Sequence, residues 1–180
     1  HQLLEDWINK GGKLITIGSA SYTFMGKDGY ALKSYASAES EALAKKASEK
    51  AALDHRLDDY GGQTGRYLSN SIPGAIIKLN MDNTHPLAYG LPNYYFTLKA
   101  GEVSVEYLKD AWNVGYTGSD LMSAGFIGAQ LKDRLKNNTS FAVEDKGRGS
   151  VVYMADNPLF RAFWENGKFL FSNAVFFVGQ

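Results

Sequence analysis

The chain contains no cysteine, which removes disulfides, thiolate zinc sites and thiol nucleophiles together. Histidine is nearly as scarce, with three in 180 residues, so chemistry that needs an imidazole base rests on His1, His55 or His85. Charge of one sign is missing too. The 19 Lys and Arg residues balance 19 Asp and Glu, and no global field draws the chain to nucleic acid or to an anionic membrane, so neither is expected as a partner. The longest strongly apolar stretch, FLFSNAVFFV at 169–178, carries Ser172 and Asn173 and reaches only about half the length of a membrane-spanning helix. The opening HQLLEDWINKGG has acids where a signal peptide has its basic region. An export signal, if the parent protein has one, is expected upstream.

What is present suits one ordinary domain with a real core: 44% of residues are hydrophobic and 21% charged. Leu3, Leu4, Trp7 and Ile8 share a helical face that stops at Gly11 and Gly12, as a C-terminal cap would. The apolar run 13–17 follows, of the kind found in sheets covered on both faces. Helix, Gly-Gly and buried strand make half of an α/β repeat, and a doubly wound domain normally opens with a strand. His1 is therefore not expected to be the natural start of the domain.

Residues 36–59 turn to Ala, Glu, Lys, Ser and Asp, with Glu41 and Lys45 spaced for an i,i+4 pair. A charged helical insertion over about 36–66 is expected on the surface, and DDYGGQTGRYLSNSIPG (58–74) reads as a loop. Strand signals return at 75–80, 94–99, 111–116, 139–145 and 149–155, the last two joined by a hairpin turn at KGRG. A helix is expected near 128–136, stopped by Asn137 and Asn138. In DNPLFRAFWENGKF, Asn157 reads as an N-cap with Pro158 in the first helical position. Gly167 reads there as a break before a second apolar helix.

These residues carry a resemblance. LEDWINKGGKLITIG resembles the helix-to-strand unit of class I glutamine amidotransferase-like domains. IPGAIIKLNMDNTHPLAYGLP and GRGSVVYMADNPLFRAFW are similar to the form of that domain found at the C-terminus of bacterial zinc carboxypeptidases of the carboxypeptidase A type. The resemblance covers most of the chain outside the charged insertion. It implies a three-layer α/β/α, flavodoxin-like fold whose N-terminal strands precede this chain. It also implies an upstream peptidase domain as partner, with zinc held there and no cofactor here, and a secreted or periplasmic location. Related units serve as the trimerisation domain of some β-galactosidases, so a homo-oligomer is a further expectation.

Active members of the family place a cysteine on the elbow after the strand that here reads LITIG, and pair it with a His and an acid after a late strand. By register the elbow falls on Gly18, or on Ser19 after a slip of one. The late strand ends in Asp156 and Asn157 where the His-containing motif is expected. The resemblance thus implies a domain without its catalytic machinery, used for packing, oligomerisation or binding a ligand near Gly18, Ser19 and Tyr22.

The alternative is a serine hydrolase using Ser19 or Ser21, with His85 as base. The G-x-S-x-G spacing of a serine elbow is not met. His85, before a proline that favours extended geometry, reads first as a turn residue. Metal chemistry is no better supported. HRLD (55–58) offers His55 and Asp58 in place of the H-x-x-E zinc pair, and Asp82 with His85 reads as a turn before it reads as a ligand pair. Arg161 would reach a carboxylate at the C-terminal edge of the sheet or pair with Asp156 or Glu144. Trp7, Trp112, Phe163 and Trp164 offer a stacking platform for sugars, but their spacings favour the core.

Overall fold

The computed structural model describes residues 2–34, 60–162 and 164–179. The expected charged helix with Glu41, Lys45, His55 and Asp58 lies outside the described residues, as do His1 and Phe163. Helix α1 (Gln2–Asn9) buries Ile8. The chain leaves it through Gly11 and Gly12, whose N–H groups donate to Ile8 O at 2.9 Å and Trp7 O at 3.0 Å, the cap that the glycine pair predicts. Strand β1 (Lys13–Ile17) and the one-turn helix α2 (Ser19–Tyr22) follow. Beyond them come α3 (Gln63–Asn70), β2 (Gly74–Met81), β3 (Tyr94–Lys99), β4 (Trp112–Tyr116) and β5 (Ser123–Phe126). The chain ends with α4 (Ala129–Arg134), β6 (Thr139–Lys146), β7 (Gly149–Met154) and α5 (Glu165–Phe176).

The architecture is α/β, with a mixed seven-stranded sheet in the order β1-β7-β6-β4-β2-β3 and β5 paired with β2. Among the described strands only β1 and β7 pair in parallel; the other pairings are antiparallel. Strands β6 and β7 form the expected hairpin, in register from Phe141 opposite Met154 to Lys146 opposite Gly149. Their side chains alternate between two cores. Phe141, Val143, Val152 and Met154 join Leu170, Ala174 and Val178 on the α5 side. Ala142, Val151 and Tyr153 join Ile8, Phe24, Leu32 and Val105 on the α1 side. Burial on both faces is why these strands read as nearly continuous apolar runs. Helix α5 is also tied polar-wise: the buried Asn173 amide donates to Leu87 O at 3.0 Å and Tyr89 O at 2.8 Å.

Three local expectations fail and one strand has no counterpart among them. The stretch read as a loop contains the 3₁₀ turn Tyr60–Gly62 and helix α3. That helix is held by tertiary contact, since Gln130 Oε1 accepts from Asn70 Nδ2 at 2.9 Å and Arg134 donates to Asn70 Oδ1 at 3.2 Å. Strand β5 was not expected at all. It forms because β4 pairs with only Asn80 and Met81 of β2, leaving Gly74–Ile77 a free edge that residues 123–126 fill. Asn157 does not open an α-helix. Its Oδ1 accepts from Leu159 N at 2.9 Å in a local turn, and a 3₁₀ turn, Phe160–Ala162, follows. Gly167 does not break a helix either but lies inside α5. A Cβ there would sit 1.8 Å from Pro158 O, so the glycine permits close packing of α5 on that turn.

Trp7 and Trp112 also depart from expectation, whereas Trp164 packs against the core on the α5 side. Trp7 is 50% exposed and Trp112 55% exposed, so neither is core, and they belong to opposite parts of the sheet. Trp7 lies on α1 against Gly12, Trp112 on β4. Trp164 is half-buried and donates its indole N–H to Phe96 O at 3.0 Å.

Candidate functional site

Residue 18 closes β1: its N–H donates to Met154 O at 2.7 Å, extending the parallel ladder by one bond. The chain then reverses into α2 with Gly18 at φ 57°, ψ −129°, a conformation that residues with a side chain adopt only under strain. This is the sharp strand-to-helix elbow on which enzymes of several folds hold a nucleophile. Here the elbow residue has no side chain. A Cβ built on Gly18 would meet the Asn157 Cβ at 3.9 Å, an ordinary van der Waals contact without a clash.

The groups around the elbow are spent on one another. Ser21 is fully buried; its hydroxyl lies 2.9 Å from Thr16 Oγ1 and 3.3 Å from Met154 O. Ser19 is exposed on the first turn of α2. Tyr22 donates its phenol to Ala155 O at 3.0 Å. Burial raises its pKa; Lys99 opposes that shift and Asp156 adds to it, so the phenol stays protonated.

Asp156 is held by a residue that sequence reading missed. The period of two in YYFTLK puts Tyr95, Thr97 and Lys99 on one face of β3, all buried, while Tyr94 and Phe96 face outward. Lys99 Nζ donates to Asp156 Oδ1 at 3.0 Å, with side chains only 6% and 4% exposed, and Thr97 Oγ1 lies 3.5 Å from Oδ2. Burial alone would lower the Lys99 pKa. The Asp156 carboxylate, with help from Tyr22, reverses this and holds the ammonium above its ordinary range. A lysine on the inner face of an otherwise apolar strand is the signal that would have found the pair.

Arg161 pairs with neither expected carboxylate. Its guanidinium lies over the Phe160 ring, 5.2 Å from the centroid, with its backbone at φ 51°. Glu144 is buried and accepts from Tyr153 OH at 2.6 Å and Ala31 N at 2.9 Å. Of the expected ligand-binding residues, only Tyr22 lines a large cavity, a groove of about 1000 Å³ that it shares with Tyr30, Lys33, Glu106 and Lys109.

His85 is nowhere near the two serines. Strand β4 runs parallel to β1 through β7 and β6, and β2 runs antiparallel to β4. His85 follows the C-terminal end of β2, so it sits at the end of the sheet opposite to the elbow, with β7, β6 and β4 between. Its Nδ1 accepts from Leu87 N at 3.1 Å, capping the 3₁₀ turn Pro86–Ala88. That is the structural turn role, and it leaves Ser19 and Ser21 without this histidine as a base. Among the described residues no group of three His, Asp or Glu side chains is placed to hold a metal ion, and no helix is long and apolar enough to cross a membrane. Comparison of the chain with protein-family models, curated proteins and solved structures finds no match.

Proposed function

We propose that this chain is a non-catalytic, amidotransferase-like accessory domain of a secreted bacterial zinc carboxypeptidase. Its fold in this reading is the flavodoxin-like three-layer form, and its work is packing against the peptidase domain or against further copies. One observation carries the reading: the elbow after β1 keeps the backbone shape that presents a nucleophile, but glycine occupies it and Asn157 faces it. The supporting shell is likewise turned to structure, with Ser21 buried in backbone contacts and Asp156 neutralised by Lys99. A domain that has the turn while its described residues place neither nucleophile nor base there fits a scaffold rather than an enzyme.

The packing role draws on a second feature. One face of the β5-β2-β3 ribbon presents Ile76, Tyr94, Phe96, Met122 and Phe126, each more than a third exposed. Lys78 is the charged group on that face, and its ammonium rests over the Tyr94 ring at 5.3 Å. Contiguous apolar surface of this kind marks an interaction site. Strands β1 and β3 are edges of the described sheet, which leaves β1 available to further strands of the parent protein.

The test is the size of the native protein, read with an antiserum to this segment on a denaturing gel of the source cells. A band several times heavier than 19.8 kDa, carrying zinc-dependent carboxypeptidase activity after immunocapture, is the expected result. A band near 20 kDa would sink the accessory-domain reading.

A further inference from the structure

At the end of the sheet opposite to the elbow, Asp82, Thr84, His85, Pro86 and Trp112 line a cleft of about 360 Å³. The Trp112 indole forms one wall, its ring centroid 6.1 Å from that of His85. Its Nε1–H donates to Asp145 Oδ2 at 3.3 Å, which fixes the ring and places a second carboxylate at the rim. Asp82 accepts from Thr84 N at 3.1 Å and Thr84 Oγ1 at 2.6 Å, both on Oδ1, so Oδ2 keeps its acceptor capacity. The hydrogen bond from Thr84, outweighing burial, holds the Asp82 carboxyl below its ordinary range.

Among the described residues no Lys or Arg lines the cleft. Lys13, across β7 on the same face of the sheet, gives its ammonium to Val175 O at 2.8 Å. His85 does not supply a charge either. Its Nδ1 is an acceptor, and burial lowers its pKa against the pull of Asp82 and Asp145. An exposed indole face beside two carboxylates and an imidazole acceptor attracts an organic cation, by cation–π contact and charge-assisted hydrogen bonds together.

We propose that the Asp82–His85–Trp112–Asp145 cleft binds a guanidinium or alkylammonium group, with the cation against the Trp112 face and its N–H groups on the Asp82 and Asp145 carboxylates. The cation would be a free small amine or the side chain of an arginine or lysine in a peptide. This site is independent of the elbow and of the accessory-domain reading.

The test is a titration of the whole chain with agmatine, with an acetylated and amidated Gly-Arg-Gly peptide, and with glucose, followed by the indole N–H resonance of Trp112. Saturable shifts with agmatine or the peptide are expected, and the tighter of the two names the source of the cation. Asp145→Asn should weaken binding roughly tenfold by this signal, Trp112→Ala, which removes the reporter, should weaken it roughly tenfold by titration calorimetry, and 0.5 M NaCl should weaken it further. Asp133→Asn, an exposed carboxylate elsewhere on the chain, should leave it unchanged. If Trp112→Ala does not fold, Asp145→Asn and the salt dependence decide. Absence of saturable binding, binding indifferent to Asp145→Asn and to salt, or a stronger response to glucose than to either cation would overturn the proposal.

Discussion

The two ends of the sheet spend their polar groups in opposite ways. At the elbow end, Ser21, Tyr22, Lys99 and Asp156 are turned inward and bonded to one another or to backbone carbonyls. At the other end, Asp82, His85 and Trp112 line a cleft with Asp145 at its rim, two carboxylates with no Lys or Arg in the lining among the described residues. The end whose backbone shape suggests chemistry is electrostatically closed. The end whose sequence reads as an ordinary turn carries unbalanced charge. Local backbone geometry is therefore a poor guide to activity unless the surrounding side chains are left free to act.

The sharpest way to break this contrast is to open the closed end. Lys99→Ala strands the Asp156 carboxylate in the core and should cost about 3–5 kcal/mol in chemical denaturation, whereas Lys99→Met combined with Asp156→Leu should recover most of that loss. The pair also sets a pH signature. The folded Lys99 pKa lies above its unfolded value, so its contribution is complete below the ordinary lysine range and is lost as pH rises through the folded value. The double variant should lack that alkaline component.

Gly18→Ala comes next. The new methyl meets no clash, but the left-handed backbone should cost about 1–3 kcal/mol. Gly18→Ser should cost a similar amount and produce no esterase activity, since no base faces the elbow among the described residues. Ser21→Ala removes a fully buried hydroxyl bonded to Met154 O and should cost about 1 kcal/mol.

Trp112→Ala should change stability least, by under about 0.5 kcal/mol, because the ring is more than half exposed. The cleft end should instead show itself in acid. The folded His85 pKa lies below its unfolded value, so its contribution is present above the ordinary histidine range and is lost as pH falls through that range. An acid limb in the stability profile that flattens in His85→Ala would set this end apart from the alkaline response of the other.

Much of the strand framework was legible in the sequence because period and burial agree. KLITI, YYFTLK and GSVVYM each form strands within one residue of the expected bounds, and the KGRG turn pairs β6 with β7. What was illegible depends on partners distant in sequence. Residues 123–126 become a strand only because β2 outruns β4, and 63–70 become a helix only because α4 is there to receive Asn70. The site followed the same division. The elbow at Gly18 was readable from strand followed by small residues. Its neutralisation by Lys99, 57 residues from Asp156 in sequence, was not. Nor was the carboxylate pair, since Asp82 and Asp145 meet the same cleft only through the order β6-β4-β2.

The most direct test of the closed elbow is labelling of the intact chain with a serine-reactive fluorophosphonate, read by intact mass and by Ser19→Ala and Ser21→Ala variants. With Ser21 buried, no base beside Ser19 among the described residues and His85 at the far end of the sheet, no adduct should form. A stoichiometric adduct that disappears in Ser19→Ala would contradict the account and make this end of the sheet an active site.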